Sequence, residues 1–431
     1  MPDQKVEILN LKFETMAQGG EALAREANGR VIFVPYALAG ETARVEITES
    51  RRGFARGRVI EILVPSPFRV TPRCPHFSPS PENSVSEFSG EGGRGVRCGG
   101  CQWQHISYAA QLQFKTQIVR DQFARIAKMS SAPILPILPA RHEWFYRNNM
   151  HFGVDENGAL CLQAPDSHTL VPIRECFIAD EPLREMFKTL ELDPASFDGV
   201  TLRAGENTGE KFIILESDDP ETPEIETDDP VSIAFRSGDV TIPILGNEFL
   251  TEKIGERIFR ISPDSFFQVN TAMAHTLVEL VTEFLAPRAD DILLDAYGGV
   301  GLFSLSLAPQ VLRVIEIEEN PNALEDAKYN ARDLNNVLFH QGRVEIILPT
   351  LDSRIDIAVI DPPRAGLERA ALDALAAKQP RAIAYVSCDT ATLARDVARF
   401  IEQGYRLERV QPVDLFPQTY HIECVAQLVR V

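Results

Sequence analysis

The sequence lacks the segments that mark membrane and secreted proteins. No apolar run approaches the roughly 18 residues that a membrane-spanning helix requires, and the opening Met1-Pro-Asp-Gln-Lys lacks the basic-then-apolar pattern of a signal peptide. Seven cysteines among 431 residues do not resemble a secreted disulfide framework. We therefore expect a cytoplasmic protein without membrane contact, long enough for two or three domains.

Positive charge is also scarce, with 43 Lys and Arg against 62 Asp and Glu and a formal charge of −19. Taken alone, this balance disfavours a nucleic-acid partner. Charge acts locally, however, because salt screens it beyond about 8 Å. Residues 216–229 hold eight carboxylates and no base, whereas residues 44–73 and 115–147 are net basic. A basic face therefore remains open, and the acidic run is predicted to be a solvated loop.

The pattern of short strands, long strands and helices predicts the domain order. Residues 1–66 read as short strands typical of a small barrel, and Arg51, Arg52, Arg56 and Arg58 are predicted to lie in its last connection, either solvated or on an RNA backbone. Residues 147–261 are β-rich. From residue 262 onward helices and strands alternate, which predicts a mostly parallel, doubly wound sheet. The Ser, Gly and Glu of residues 78–97 predict a flexible insertion.

One cysteine lies at the end of a predicted buried strand. Ala382-Ile-Ala-Tyr-Val386 is apolar, and the residues after Asp389 have helical spacing. Cys388 would thus lie at a strand tip, where open α/β sheets place their chemistry. The following helix start would favour a thiolate, although Asp389 would oppose it unless its side chain turns away. A buried structural role is the more common one for a lone cysteine.

Two turns have the composition of ligand-binding loops. Asp295-Ala-Tyr-Gly-Gly-Val-Gly301 follows an apolar strand and opens a helix, so its backbone can pass close to a ligand. Glu316 and Glu318 end the next strand, where an acid binds ribose hydroxyls. The G-x-G-x-x-G spacing is absent, and the pattern is that of S-adenosylmethionine binding. In Asp361-Pro-Pro-Arg, the prolines would present Asp361 rigidly at a strand tip. A purely structural turn is the alternative in both cases.

A set of cysteines predicts a thiolate site. Cys98-Gly-Gly-Cys101 places two sulfurs on one tight loop, and Cys74 and Cys176 are further members of the set. The set suits either zinc or an iron–sulfur cluster, and spacing does not separate the two. Cys161 has no partner spacing and is predicted to be a core residue.

A carboxylate begins the last apolar strand. Strand alternation in His421-Ile-Glu423-Cys-Val would place His421 and Glu423 on one face. Glu423 could serve as a general base, although a lone Glu more often has a structural role.

Together these residues resemble the motifs of S-adenosylmethionine-dependent RNA uracil-C5 methyltransferases, over nearly the full length of the chain. The likeness is greatest to members with a TRAM barrel and a [4Fe-4S] cluster, such as the 23S ribosomal RNA enzymes. The motifs that carry it are Cys74-Pro-His-Phe with Cys98-Gly-Gly-Cys101, Ser265-Phe-Phe-Gln-Val-Asn270, Asp361-Pro-Pro-Arg-Ala-Gly366, Ser387-Cys-Asp389 and His421-Ile-Glu423.

The resemblance implies an α/β protein of three domains. These are a TRAM or OB-like RNA-binding β-barrel at 1–66, a β-rich iron–sulfur domain at 67–262 and a Rossmann-like doubly wound methyltransferase domain at 263–431. The helix at 109–128 is expected to pack on the catalytic domain. We expect a monomer that binds RNA and does not bind membranes.

The resemblance also assigns roles to single residues. It implies that Cys388 attacks carbon 6 of uracil and that Glu423 removes the carbon 5 proton. It implies that S-adenosylmethionine contacts Gln268, Tyr297, Glu318 and Asp361. It implies that a [4Fe-4S] cluster is held by Cys74, Cys98, Cys101 and Cys176.

Some positions depart from the family pattern. Leu302 stands where members often have Asn after the glycine turn, and a further Asn expected near Gln341-Gly342 is absent. Both departures concern the details of cofactor binding. The spacer between Cys74 and Cys98 is longer than in the family, which costs little because loop-closure entropy grows slowly with length.

The expected substrate is a uridine in RNA that leaves its stack to meet Cys388. Candidate stacking residues, each more often a core residue, are Trp144, Phe145, Tyr146, Phe266 and Phe267. We expect 23S ribosomal RNA as the target, with the T-loop of transfer RNA as an alternative. A non-catalytic RNA-binding iron–sulfur protein is a second alternative, which the presence of Cys388 and Glu423 argues against.

Overall fold

The structure is a computed structural model that describes residues 7–77, 97–165, 167–193, 196–225, 227 and 229–431. Nearly all of the predicted insertion at 78–97 lies outside these ranges. The chain forms two compact units. The first comprises Met1–Ile118, Cys161–Arg174 and Phe416–His421, and the second comprises Val119–Leu160, Glu175–Leu415 and Ile422–Val431.

The helices and strands are numbered in chain order. The strands are β1 Ile8–Lys12, β2 Thr15–Met16, β3 Ala22–Arg25, β4 Val31–Val34, β5 Thr42–Arg51, β6 Phe54–Val64, β7 Asn149–Val154, β8 Leu160–Gln163, β9 Leu170–Pro172, β10 Gly199–Ala204, β11 Lys211–Glu216, β12 Ser232–Ser237, β13 Val240–Leu245, β14 Leu250–Ile254, β15 Arg257–Ile261, β16 Ile292–Asp295, β17 Arg313–Glu318, β18 Val337–Gln341, β19 Ile357–Ile360, β20 Ala382–Ser387, β21 Tyr405–Val413 and β22 Glu423–Arg430. The helices are α1 Tyr108–Arg125, α2 Glu181–Thr189, α3 Thr271–Leu285, α4 Leu302–Leu307, α5 Pro321–Asn330, α6 Val344–Ile347, α7 Arg369–Lys378 and α8 Thr390–Glu402. Within the described ranges we find no helix with the length and apolar character needed to cross a bilayer.

The first unit begins with a six-stranded sheet in the order β1-β5-β6-β4-β3-β2. Strands β4 and β6 run parallel, and the other neighbours run antiparallel. Apolar side chains at every second position, such as Ile32 and Val34, are fully buried, as the two-residue period of a strand requires. This sheet occupies the segment for which a small barrel was predicted.

The arginine cluster of this sheet lies mostly on strands. The connection between β5 and β6 is only Arg52-Gly53, so the prediction that all four arginines lie in a connection was wrong. The other three form ion pairs with glutamates: Arg51 with Glu49, Arg56 with Glu21, and Arg58 with Glu46.

The loop at 416–421 packs within the first unit against the start of α1. The side chains of Gln111 and Gln418 are both buried and bond to each other at 3.0 Å, and the buried Lys115 Nζ donates to the Phe416 carbonyl at 3.1 Å. The backbone of Gln418 has a positive φ of 67°. The contacts therefore hold this loop, which leads directly into β22, in a strained conformation.

The second unit contains a β-rich region, as predicted. Strands β13, β12, β11, β10 and β7 lie side by side in that order, with only the β11–β12 pair parallel. Strands β14 and β15 form a separate antiparallel pair. The described part of the acidic run, between β11 and β12, is a mostly exposed connection, in agreement with the prediction.

The second unit also contains a seven-stranded sheet in the order β18-β17-β16-β19-β20-β22-β21. The first five strands are parallel, and β22 runs antiparallel to both β20 and β21. The predicted doubly wound sheet is confirmed. Its strand order reverses at β16 and β19, and ligands bind at the carboxyl ends of strands around such a reversal.

Candidate active site

The predicted nucleophile lies where β20 ends and α8 begins. All six residues of β20 are buried, and the half-buried Cys388 follows it directly. The Asp389 carboxylate caps α8 by accepting hydrogen bonds from the backbone amides of Ala391 at 3.0 Å and Thr392 at 2.8 Å. Asp389 thus supplies the hydrogen-bond acceptor for two backbone amides that have no partner within the helix.

The pKa of Cys388 lies above its ordinary value, so the prediction that the helix start lowers it was wrong. Burial, followed by the negative charges of Glu423 and Asp361, raises the pKa of the Cys388 thiol to about 11. Cys388 is therefore a neutral thiol at pH 7.

Glu423 is brought to the same strand end by the pairing of β22 with β20. Ser387 pairs with Cys424, so in an antiparallel ladder the next pair beyond the strand end is Cys388 with Glu423. Glu423 is only 4% exposed. Burial and the charge of Asp361 raise the pKa of its carboxyl well above the usual value. Strand β22 begins at Glu423, so the prediction that strand alternation starts at His421 was wrong.

Asp361 follows β19, the parallel neighbour of β20, in which Ile360 pairs with Tyr385. This places Asp361 at the tip of the adjacent strand, as the sequence predicted. Burial raises the pKa of its carboxyl to about 7. Three acidic groups, Cys388, Glu423 and Asp361, therefore meet at neighbouring strand ends. The charges of Glu423 and Asp361 raise the pKa of Cys388, and the charge of Asp361 raises the pKa of Glu423.

Arg364 supplies positive charge to this group. Its side chain hydrogen-bonds to Cys388, and its charge lowers the pKa of both Cys388 and Glu423. Arg364 belongs to the Asp361-Pro-Pro-Arg motif, but the sequence predicted no role for it. The signal was present, because a cation three residues after a strand-tip carboxylate lies on the loop that faces the other strand ends.

The glycine turn between β16 and α4 lies on the other side of β19. Gly299 and Gly301 have positive φ values of 58° and 91°, and a Cβ atom at Gly298 would lie 2.2 Å from the Glu316 Cγ atom. The turn is therefore restricted to glycine for both conformational and steric reasons. The Gly299 amide donates to Glu318 Oε2 at 2.8 Å, so the predicted ribose-binding carboxylate lies directly against the turn.

Two buried acids lie under this turn. Ser304 donates from its amide to Asp295 Oδ2 at 3.0 Å and from its hydroxyl to Glu316 Oε2 at 2.5 Å. Within the described residues the other two oxygens, Asp295 Oδ1 and Glu316 Oε1, are buried without a hydrogen-bond partner. Burial raises the pKa of Asp295 to about 7, and it raises the pKa of Glu316 well above its usual value. These orphan acceptors suit a ligand that carries hydrogen-bond donors or positive charge.

The other two predicted cofactor residues lie on segments beside the parallel sheet. Tyr297 is half-buried within the glycine turn, and burial raises the pKa of its hydroxyl. Gln268 is 8% exposed and lies just before Asn270, which caps α3. The segment leading to Gln268 is braced by Arg203, which donates to the carbonyls of Ser262 and Ser265 at 3.1 Å each.

The structure separates the candidate stacking residues. Tyr146 and Phe267 are 2% and 5% exposed and belong to the core, and Trp144 and Phe145 are half-buried. Phe266 is 70% exposed, which leaves its ring accessible on the segment that carries Gln268.

The two departures from the family pattern have different surroundings. Leu302 opens α4 and is 6% exposed, so its side chain belongs to the core. Gly342 has φ of 139°, and a Cβ atom there would lie 3.1 Å from Ile347 Cγ1. A side chain is therefore disfavoured at Gly342, where the family pattern has an Asn nearby.

The backbone of the first unit brings three predicted cluster cysteines close together. Cys98 donates its amide to the His76 carbonyl at 3.1 Å, two residues after Cys74, and the Gly100 amide donates to Cys98 Sγ at 3.3 Å. Cys101 is buried, and Cys176 belongs to the second unit. Among the described residues, no group of three or more His, Cys, Asp or Glu side chains has an arrangement that could hold a metal ion. The cluster thus stays a prediction, and no catalytic step depends on it.

Sequence comparison identifies two families in this chain. Residues 230–431 match the model described as tRNA (Uracil-5-)-methyltransferase, and residues 2–60 match the TRAM domain. An uncharacterized RNA methyltransferase of Thermosynechococcus vestitus is 34% identical, over 99% of this chain and 98% of its own length. Another, from Streptomyces coelicolor, is 36% identical over 96% of this chain and 91% of its own.

A solved structure shares the fold. The tRNA (uracil-54, C5)-methyltransferase of Pyrococcus abyssi, in complex with S-adenosyl-L-homocysteine, aligns with a TM-score of 0.73 and 24% identity, over 98% of this chain and all of that one. The full-length relatives and the two family matches lead to one conclusion. The chain belongs to the S-adenosylmethionine-dependent RNA uracil-C5 methyltransferases that carry a TRAM domain.

Proposed function

We propose that this enzyme methylates carbon 5 of a specific uridine in RNA through a covalent bond between Cys388 and uracil carbon 6. The observation that carries the proposal is that Cys388, Glu423 and Asp361 meet at adjacent strand ends. The Arg364 side chain forms a hydrogen bond with the Cys388 thiol. A nucleophile, a base and a cation are the groups that this reaction requires.

The glycine turn and the acids around it form the proposed cofactor site. The residues that would hold S-adenosylmethionine are Gln268, Tyr297, Glu318 and Asp361. The orphan oxygens Asp295 Oδ1 and Glu316 Oε1 support the assignment, because unpaired buried oxygens below the turn suit a ligand that forms hydrogen bonds. When bound, S-adenosylmethionine supplies a methyl group on a positively charged sulfur.

The protein residues make carbon 5 reactive and then restore the ring. The Cys388 thiolate forms a bond to carbon 6, and the electron pair of the 5,6 double bond moves to the enolate of the ring. Carbon 5 then accepts the methyl group as the bond from that group to the sulfur of S-adenosylmethionine breaks, which leaves S-adenosylhomocysteine. Glu423 takes the carbon 5 proton, the double bond re-forms, and the Cys388 thiolate leaves. The net change replaces a hydrogen on carbon 5 with a methyl group and releases one proton.

The charges of the site determine which groups must lose a proton before these reaction steps can occur. Burial and neighbouring acids raise the pKa of both Cys388 and Glu423, and so favour the form of each that holds a proton. Both must lose it, the first to attack and the second to act as a base. Arg364 favours both losses, since its charge lowers the two pKa values. We therefore assign Arg364 the role of activating the thiol.

The proposed RNA contacts involve Phe266 and the six-stranded sheet β1–β6, which is called the TRAM sheet below because residues 2–60 match the TRAM domain. The exposed Phe266 ring offers a stacking surface on the segment of Gln268. On the TRAM sheet, Arg51, Arg56 and Arg58 are paired with glutamates. Exposed ion pairs of this kind contribute only about 0–1 kcal/mol, so an RNA phosphate can replace the glutamate at little cost.

We propose 23S ribosomal RNA as the target, on the resemblance to the cluster-containing ribosomal enzymes; the T-loop of transfer RNA is the second candidate. The name of the matched family and the substrate of the Pyrococcus abyssi enzyme favour the second candidate. Equimolar 23S RNA and transfer RNA, both from cells that lack the gene, should be methylated separately with labelled S-adenosylmethionine. We expect methyl transfer to 23S RNA and background in transfer RNA. The reverse pattern would establish the alternative.

We propose a [4Fe-4S] cluster held by Cys74, Cys98, Cys101 and Cys176. Protein purified without oxygen should be brown, with broad visible absorbance and about four irons per chain. Cys98→Ser should lose most of the iron, whereas Cys161→Ser should retain it, because Cys161 is a buried residue of β8 outside the proposed set. A colourless protein with one zinc per chain would overturn the cluster in favour of a zinc site.

The three-domain division at 1–66, 67–262 and 263–431, the monomeric state and the cytoplasmic location stay predictions from the sequence. The non-catalytic alternative is disfavoured, because the proposed nucleophile and base are both present at one strand edge.

A further inference from the structure

The loop that carries Arg364 packs closely on α8, the helix that follows Cys388. Thr392 Oγ1 donates to the Arg364 carbonyl at 3.3 Å. Arg395 donates to the carbonyl of Ala365 at 3.0 Å, and the Leu367 amide donates to Asp396 Oδ2 at 2.9 Å. Side chains from two successive turns of α8 therefore fix three residues of this loop, Arg364, Ala365 and Leu367.

Gly366 allows this close approach. Its φ is 72°, and a Cβ atom there would lie 2.6 Å from both Arg395 Nη2 and Asp396 Oδ2. The loop can follow this path only because the residue between its two contact points has no side chain.

Asp396 is the centre of the contacts. It is fully buried and accepts hydrogen bonds from the Tyr385 hydroxyl of β20 at 2.9 Å and from Arg395 Nε at 2.8 Å. Arg399 also donates to it, at 3.2 Å from the next turn of α8. One carboxylate thus joins β20, α8 and the Arg364 loop, and the first two of these flank Cys388.

We infer that Asp396 is a positioning residue: with Arg395 it holds the loop at 363–367 so that the Arg364 guanidinium stays on the Cys388 thiol. The inference rests on the proposed function, in which Arg364 activates Cys388. Asp396 lies on α8, hydrogen-bonded to Tyr385 of β20, and acts through the loop, not on the substrate.

A positioning role for Asp396 and a purely structural role predict different effects on the Cys388 thiol. A residue that only stabilises α8 changes the stability of the protein and leaves the ionisation of Cys388 unchanged. A residue that places Arg364 changes the ionisation of the thiol in the folded protein. Loss of a nearby cation raises the pKa of a thiol by about one unit.

The test is the rate at which iodoacetamide alkylates Cys388 in the full-length protein between pH 7 and pH 10, followed by digestion and mass spectrometry. A thiol with a pKa about one unit higher has about tenfold less thiolate but is about threefold more nucleophilic, so the net rate falls about threefold. We expect this decrease for Arg364→Ala, and a decrease of at least about twofold for Asp396→Asn and Arg395→Gln. Arg399→Gln is the matched control, since Arg399 contacts the same carboxylate one turn away from the loop; its rate should equal that of the wild type.

The outcomes separate the inference from the proposed function. If Arg364→Ala leaves the rate unchanged, the activating role of Arg364 fails and the inference with it. If Arg364→Ala slows alkylation but neither Asp396→Asn nor Arg395→Gln does, only the inference is overturned. Equal slowing by Arg399→Gln and Arg395→Gln would also overturn it, because the effect would then follow loss of any ion pair to Asp396. If Asp396→Asn fails to fold, Arg395→Gln decides the question.

Discussion

Cys388→Ala is expected to reduce methyl transfer to RNA by about 10⁴-fold or more, to the background of the assay. Carbon 5 of uracil is a poor nucleophile until a bond at carbon 6 converts the ring to an enolate, and the variant cannot form that bond. The change removes one sulfur from a half-buried position, so the fold should be retained. Transfer of labelled methyl groups under single-turnover conditions measures the effect.

Cys424→Ala is the matched control for this variant. Cys424 pairs with Ser387 across β20 and β22 and is fully buried, so its thiol is close to the site but closed to RNA. This variant should transfer methyl groups within a few-fold of the wild-type rate. Wild-type transfer by Cys388→Ala, or loss of transfer only in Cys424→Ala, would refute the assigned nucleophile.

Glu423→Gln is expected to stop the reaction after methyl transfer and before release. Glutamine has the same size and hydrogen-bonding reach, but it cannot accept the carbon 5 proton, and Cys388 cannot leave until that proton is removed. We expect turnover to fall by about 10²- to 10⁴-fold. A covalent RNA–protein adduct that survives denaturation should accumulate to nearly one per active site and appear as a shifted band on a denaturing gel.

A double variant provides the control for the Glu423→Gln prediction. The double variant Cys388→Ala with Glu423→Gln should form no adduct, because the sulfur that forms the bond is missing. Because burial raises the pKa of the Glu423 carboxyl well above its usual value and so favours its neutral form, the neutral amide should not lower thermal stability at pH 7. Full turnover by Glu423→Gln without an adduct would mean that another group removes the proton.

The elements that build the site were predicted from the sequence because their signals are local. The apolar run before Cys388, the glycine turn after Asp295 and the double proline after Asp361 each identify a strand end from adjacent residues. The helical periodicity between them indicates parallel order, and the structure confirms the sheet.

The contacts between these elements depend on residues far apart in the chain and were not predictable in the same way. The pairing of β22 with β20 brings Glu423 to Cys388 across 35 positions of sequence. The direction of the Asp389 side chain depends on its cap geometry. The raised pKa of the Cys388 thiol results from burial and from acids on two other strands, neither of which the local sequence reveals.

The identity of the methylated nucleoside tests directly whether the enzyme methylates carbon 5 of uridine through Cys388. The wild-type protein should be incubated with methyl-labelled S-adenosylmethionine and RNA from cells that lack the gene, and the RNA should then be digested to nucleosides and separated. We expect the label in 5-methyluridine with the wild-type protein and no label with Cys388→Ala. Label in any other nucleoside, or 5-methyluridine formed equally by Cys388→Ala, would contradict it.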